Sequence, residues 1–346
     1  MGHYLVGRAF GIKAEAFAIG FGREIAGWTD ARGTRWKVGL LPLGGYVKFA
    51  GDADASSRPG DAGSATAAER AVMFQFRPVW QRALVILAGP LINFVFALVI
   101  FAGFFMAEGR WVTPPVVGRV VAGSPAERAG LRAGDRIAAL DGSATDTFED
   151  VVGAIGHSGR LVTATIVRDG GRIKVTLAPV MLPATKAAGA HRGLGILSGP
   201  AVLTPCGPIA AVGAAGREVG DLIKLIASGL GEVISGHRSA SELGGPIKIA
   251  QISGQAAALG LPTVVRFIAF VSINLGFINL LPVPMLDGGH LFLYAVEAVR
   301  RRPLAPKVQE WAFLSGFAAL MSLMVFLTWN DLAGIGVWHR LSGLFG

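Results

Sequence analysis

The sequence predicts a polytopic α-helical membrane protein with a membrane-associated β-rich element and an inserted α+β domain. Three observations predict it. Hydrophobic residues fill 52% of the 346 positions and charged residues 16%, with a mean hydropathy of +0.53, whereas a soluble domain carries about a quarter charged residues. Three runs are almost free of charge: residues 84–106 and 311–328 hold none, and residues 264–281 hold only Arg266. A helix needs about 20 predominantly apolar residues to cross a bilayer, so all three read as spans. Between the first two lies a stretch of ordinary soluble composition, 114–182.

Residues 1–12, "MGHYLVGRAFGI", read as the remainder of a first apolar helix. Residues 13–52 alternate apolar and polar side chains between glycines, which predicts short strands and tight turns. That stretch is too polar to span and too apolar to be wholly solvated, so it is expected to dip into the membrane face. Residues 53–78 are expected to be a loop, and 79–107 a transmembrane helix. Across 114–200, "PPVVGRVVAGSPAERAGLRAGDRIAALDG" predicts a strand, a turn, a short helix and a strand. "FEDVVGAIGHSG" predicts a helix, and "LVTATIVRDGGRIKVTLAPV" two strands about an Asp-Gly-Gly turn. Over 205–262, apolar residues at helical spacing with few charges, as in "VGDLIKLIASGLGEVI", predict interfacial helices. Residues 263–300 form the third span and 308–332 the fourth.

The net charge of +9 does not gather into one stripe, and no nucleic-acid partner is expected. Arg70, Arg77 and Arg82 precede the first long run, while Arg300, Arg301, Arg302 and Lys307 separate the last two. The positive-inside rule puts both groups on the cytoplasmic side. Residues from about 107 to 263, and the C-terminus, are then outside. The single Cys206 excludes an intramolecular disulfide within the chain, no cleavable signal opens it, and "GFG" and "LGG" read as turns rather than a phosphate loop.

Asp287 follows the apolar run "VVRFIAFVSINLGFIN" inside "LLPVPMLDGGH". An ionisable group at membrane depth is expensive and by default functional; a simple helix cap is the alternative. A second polar ligand at another membrane edge would decide between them, and His3 is the candidate. A catalytic zinc takes three protein ligands and keeps one position open. In H-E-x-x-H, two histidines share one helix face with a glutamate beside them. If His3 is the second histidine, Met1 and Gly2 are the intervening pair. Pro282 and Pro284 break the helix beside Asp287, which membrane depth tolerates only inside protein or beside water. Gly288 and Gly289 would let neighbouring backbone approach. His290 reads as a polar pocket residue, His157 as a surface residue, and His191, His237 and His339 have no partners at metal spacing.

The pattern "GSPAERAGLRAGDRI" with the later "LDG" resembles a PDZ domain, so the inserted α+β domain is expected to be a PDZ domain. PDZ domains take up extended peptides as an added strand; a spacer or steric plug is the alternative, and "RGLGI" at 192–196 is a candidate carboxylate-binding loop. The blocks "GHYLVGRAFGIKAEAFAIGFG", "LLPLGGYVKFAGD", "LAGPLINFVFA", "ELGGPIKIAQISGQAA" and "SINLGFINLLPVPMLDGGHLF" resemble, over nearly the whole chain, the bacterial RseP-type branch of the site-2 protease family. That resemblance implies an intramembrane zinc metalloprotease acting in regulated intramembrane proteolysis. It implies Zn2+ as cofactor, with His3 and Asp287 as zinc ligands and Asn274 and Asn279 as substrate-handling residues. It further implies a multi-pass bacterial inner-membrane location, a periplasmic PDZ domain and an active site toward the cytoplasm. The implied partners are a single-span membrane substrate such as an anti-sigma factor, a peptide or protein tail at the PDZ domain, and the lipid bilayer.

The resembled motif would place its first histidine and its general-base glutamate before Met1. The expectation is a start assigned too far downstream, with genuine truncation as the alternative. Taken literally, the 346 residues hold two ligands and no base and are expected to be inactive. A catalytically dead membrane-bound PDZ scaffold is then the rival reading. A transporter would call for paired broken spans in inverted repeat, and only one broken span is evident.

Overall fold

A computed structural model of the protein describes residues 1–52, 66–157, 159, 161–182, 191–237, 239, 244–302 and 304–334, without the side chains of Pro42, Leu43, His157, Leu182, His191 and Pro306. The chain divides into two compact units, Met1–Gly103 with Val212–Gly346, and Phe104–Ala211.

In the first unit, helix α1 (Gly2–Ala9) leads into two strands, β1 (Ala14–Thr29) and β2 (Arg35–Phe49), paired antiparallel. Asp30 shapes their turn by accepting the backbone N–H groups of Arg32 and Thr34 at 2.9 Å. The sequence predicted several short strands; the structure has two long, bent ones. The glycines are bends within the strands, not their ends: Gly20, Gly22 and Gly44 take φ of 85°, 85° and 83°, a region other residues enter at a cost. The bending curls the ribbon, so Phe17 pairs with Val47 on one side and with Trp36 on the other. The start of β1 is therefore central, and the end of β2 is an edge. Phe17, Phe49 and Tyr4 are buried where the ribbon meets α1, whereas Ile19, Ile25, Trp28 and Leu40 stand exposed on it.

Of the expected loop 53–78, residues 53–65 lie outside the described residues. The rest is more ordered than expected. Thr66 and Glu69 form a reciprocal capping box that starts the short helix α2 (Ala67–Arg70), a pairing that satisfies two otherwise orphaned N–H groups. Phe74, 2% exposed, then plugs the core beside Phe49. Helix α3 (Val79–Glu108) follows.

The second unit holds strands β3 (Arg110–Val112) and β4 (Val117–Val120), helix α4 (Pro125–Arg128), strands β5 (Arg136–Leu140) and β6 (Ser143–Ala144), and helix α5 (Phe148–His157). Strands β7 (Val162–Arg168), β8 (Gly171–Leu177), β9 (Val180–Leu182), β10 (His191–Gly193), β11 (Ile196–Ser198) and β12 (Val202–Thr204) complete it. Its main sheet has the order β6-β5-β7-β8; β4 pairs with β11, β3 with β12 and β9 with β10. Asp169 and Gly170 make the β7–β8 turn with φ of 49° and 79°, the double positive φ that matches strand twist in a two-residue hairpin. Ser124 caps α4 through the Glu127 N–H. Val117, Ile137, Leu140, Val151, Ile166 and Leu177, each at most 2% exposed, form one core. Asp135 is buried against that core and paired with Arg168 through both carboxylate oxygens at 2.7 Å.

The remaining helices are α6 (Pro208–Ile234), α7 (Pro246–Ala258), α8 (Leu261–Leu280), α9 (Asp287–Arg300) and α10 (Pro306–Gly334). The segment expected as one span over 263–300 is two helices, because Leu281 precedes Pro282 and takes extended backbone at ψ 141°, as proline imposes on its predecessor. Val79–Glu108, Leu261–Leu280 and Lys307–Gly334 are long and apolar enough to cross a membrane, with mean hydropathy of 2.7, 1.8 and 1.9. On α8 the large residues Ile268, Val271, Leu275 and Ile278 are exposed, while Ala269, Ser272, Ile273 and Gly276 are buried. Small residues let helix backbones approach: a Cβ on Gly276 would lie 3.1 Å from the Pro90 carbonyl oxygen, and Ser272 Oγ donates to the Asn93 carbonyl at 2.9 Å.

The Arg168 guanidinium holds the Asp135 carboxyl below its usual 3.8. A folded-state value depressed in this way contributes stability that is present above 3.8 and lost as pH falls through the folded value. Asp135→Asn should destabilise this unit by about 3 kcal/mol, the cost of breaking a buried pair. It should also flatten the acid limb. Hydrogen exchange at the Ile137 and Ile166 amides of the full chain, followed with pH, reads both.

Candidate functional site

His3 enters on α1, whose glycines seat it. A Cβ on Gly2 would overlap the Ala88 carbonyl oxygen, and one on Gly7 would come within 2.6 Å of the Phe49 ring. Both positions therefore let α1 lie close against its neighbours. His3 Nδ1 is 2.9 Å from the Val85 carbonyl oxygen. A carbonyl can only accept, so Nδ1 carries the proton and, in the neutral ring, Nε2 keeps a free lone pair. That nitrogen lies 3.6 Å from Asp287 Oδ2.

Asp287 arrives by a different route. After α8 the chain is extended through the Pro-x-Pro stretch, turns with Met285 at φ 80°, and begins α9 at Asp287 itself. Gly288 and Gly289 press against this turn: a Cβ on Gly288 would overlap the carbonyl oxygens of Leu280 and Leu281, and one on Gly289 that of Val283. Across the turn, Gly316 of α10 passes the Pro284 carbonyl just as closely. Among the described residues the carboxylate makes no hydrogen bond to a backbone N–H, so the helix-cap alternative finds no support; its polar partner is the His3 ring. Both side chains keep a fifth to a quarter of their surface exposed, 20% for Asp287 and 26% for His3.

They face a cavity of about 470 Å³ lined also by Asn279, His290, Phe21 and Tyr46. Asn274 is not among the lining residues; five positions before Asn279, it sits about 140° around α8. His290 is 8% exposed, with its ring 4.7 Å from that of Phe313. His237 is exposed and bonded locally to Ser235. The side chains of His157 and His191, and all of His339, lie outside the described residues.

The donor set fits part of a zinc site. A separation of 3.6 Å is too long for a hydrogen bond, yet two ligands of a tetrahedral zinc lie about 3.3–3.6 Å apart. The Val85 carbonyl is the kind of outer partner that orients a ligating imidazole. Gly89 leaves the space: a Cβ there would overlap the His3 ring and lie 3.0 Å from Asp287 Oδ2. Among the described residues no third His, Cys, Asp or Glu joins the pair. The sequence reading had missed Val85, since a backbone acceptor leaves no mark in the sequence. Gly89 lies in the quoted block "LAGPLINFVFA" but had no role there.

Residues 1–323 match the family described as Peptidase family M50. A protein of Agrobacterium fabrum named as a zinc metalloprotease is 43% identical over 345 residues, covering 97% of this chain and 92% of that protein. Metalloprotease MmpA of Caulobacter vibrioides is 36% identical over 375 residues, covering 100% and 94%. The PDZ domain of the SdrC-like protein from Listeria monocytogenes matches 25% of this chain and 87% of its own, at 20% identity and a TM-score of 0.21. The class is plain: the chain is a zinc metalloprotease. It belongs to peptidase family M50, the site-2 protease family.

The gap at Gly89 yields a contrast on one helix. Gly89→Ala should lower stability by about 1–3 kcal/mol, the usual cost of overpacking. Gly103→Ala, where a Cβ meets nothing within 4 Å, should be neutral or stabilising. Thermal unfolding of the purified protein in detergent distinguishes the two.

Proposed function

We propose that the protein is an intramembrane zinc endopeptidase that cleaves membrane-spanning segments of regulatory membrane proteins, as in site-2 cleavage during regulated intramembrane proteolysis. The observation that carries this reading is the approach of His3 Nε2 to Asp287 Oδ2, 3.6 Å apart on two separate helices and facing one cavity. In this reading His3 and Asp287 hold zinc, with Val85 fixing the imidazole. When bound, zinc supplies Lewis acidity, making water acidic enough to lose a proton near neutral pH and polarising the scissile carbonyl.

The chain's own residues do the rest. A helical substrate hides its peptide bonds and must be drawn out before it is cut. Gly45–Val47 pair with β1 along one side and line the cavity, which suits them to take an unwound segment as an added strand. Asn279, at the same cavity, would donate its amide to a released substrate carbonyl. The exposed apolar side chains of the β1–β2 ribbon suit it to rest in the membrane face. The second unit is read as a PDZ domain on the periplasmic side of the inner membrane, gating access for a single-span substrate of the anti-sigma-factor type. A groove lined by Phe148, Val151, Ile155 and Arg192–Ile196 would take a peptide tail. The metal site would lie toward the cytoplasm.

The deciding experiment incubates the zinc-loaded protein in detergent micelles with a single-span test substrate. The protein should cleave that substrate, and Asp287→Ala or His3→Ala should abolish cleavage and weaken zinc binding by more than about tenfold. Absence of cleavage despite bound zinc would favour a binding-only scaffold. Asn279→Ala should lower kcat/KM about tenfold, the worth of one hydrogen bond, and Asn274→Ala less. Undiminished cleavage by the double variant would remove the asparagines from the reading.

A further inference from the structure

We infer that Arg82 and Glu297 form a positioning clamp that holds the helix of Asp287 in register with the segment that seats His3; the inference rests on the metal reading above. Arg82 Nη2 donates to Glu297 Oε1 at 2.6 Å, and the two side chains are only 14% and 12% exposed. The guanidinium is fixed on three sides: its carbon lies 4.8 Å from the centroid of the Tyr294 ring, and its Nε donates to the Arg77 carbonyl at 3.0 Å. Arg77 in turn donates through Nη2 to the Gly11 carbonyl at 3.2 Å, just past the end of α1. One pair of arginines thus ties together the three elements that carry His3, Val85 with Gly89, and Asp287.

The positions matter. Arg82 lies one turn of α3 before Val85 and two turns before Gly89. Glu297 lies ten residues along the helix that Asp287 begins. Close glycine contacts, such as Gly2 on Ala88 and Gly288 on Leu280, oppose a slip, but apolar contact alone adds little to register where lipid is as apolar as leucine. A slip of one turn, about 5.4 Å, would carry Asp287 away from His3 and out of the gap at Gly89. A half-buried ion pair resists such slips, since parting it leaves uncompensated charge in an apolar place. Membrane topology alone does not explain this arrangement. The positive-inside rule counts basic residues and is nearly indifferent to an acidic one, yet Glu297 is half of the pair.

The test is zinc competition against a chromophoric chelator with the full chain in detergent micelles. Glu297→Gln should weaken zinc binding by about tenfold or more, the loss typical of residues that support a metal ligand. Because the two residues act as a unit, Arg82→Gln with Glu297→Gln should lose no more than the worse single variant. Glu297→Asp keeps the charge and shortens its reach, and should fall between; it decides the matter if the glutamine variant does not fold. Glu24→Gln, which breaks the Arg35 pair on the β1–β2 ribbon, should change nothing. Zinc affinity equal to the original in Glu297→Gln or Glu297→Asp, or losses that simply add in the double variant, overturns the clamp. A lower melting temperature without zinc, with affinity unchanged, overturns it too. If the unaltered chain binds zinc no better than Asp287→Ala, the metal reading itself falls, and the clamp with it.

Discussion

An imidazole from one helix and a carboxylate from another sit 3.6 Å apart, the carboxylate directly after a long apolar helix. A carboxylate among apolar helices is costly unless something compensates it. The chain commits three kinds of local structure to the meeting: the tautomer of His3 is fixed by a carbonyl of α3, Asp287 is aimed by a helix break, and glycines at positions 2, 89, 288 and 289 remove the Cβ atoms that would keep the backbones apart. Each device is cheap. Together they bring two polar groups to one cavity without any hydrogen bond between them.

The same constraint sorts the rest of the first unit. Where helices touch, small side chains do much of the packing, as Ala269, Ser272 and Gly276 do beside Ile273 on α8. Where they do not, large apolar residues face outward. This pattern differs from that of a water-soluble helix and suits a lipid surround, which rewards no particular apolar contact. The Arg82–Glu297 pair and the Asp331 carboxylate that accepts the Gly245 and Lys248 N–H groups at the start of α7 tie segments far apart in the sequence.

The second unit obeys the ordinary rules of water. It buries one contiguous apolar core, alternates its strands, closes β7 to β8 with an Asp-Gly turn, and pairs its buried Asp135 with an arginine. Two buried ion pairs thus serve different ends in one chain. Asp135 and Arg168 anchor a loop inside a packed domain, while Arg82 and Glu297 link α3 to α9.

Much of this was written in the sequence. Apolar runs longer than a bilayer is thick, the prolines at 282 and 284, and the turn at Asp169-Gly170 are local properties, and local properties survive any tertiary arrangement. His3 and Asp287 could be named because polar residues in apolar surroundings stand out. Tertiary structure alone decided three things. It turned the glycines of residues 13–52 from strand ends into bends of a curled ribbon, because φ and pairing depend on what lies across the sheet. It brought Asn279 to the cavity and left Asn274 aside, because a helix face is chosen by its neighbours. It also made Arg82, which composition could count only as a positive charge, the partner of Glu297, 215 positions away. Composition and spacing report what a segment is; which distant atom it meets is settled only when the chain closes on itself.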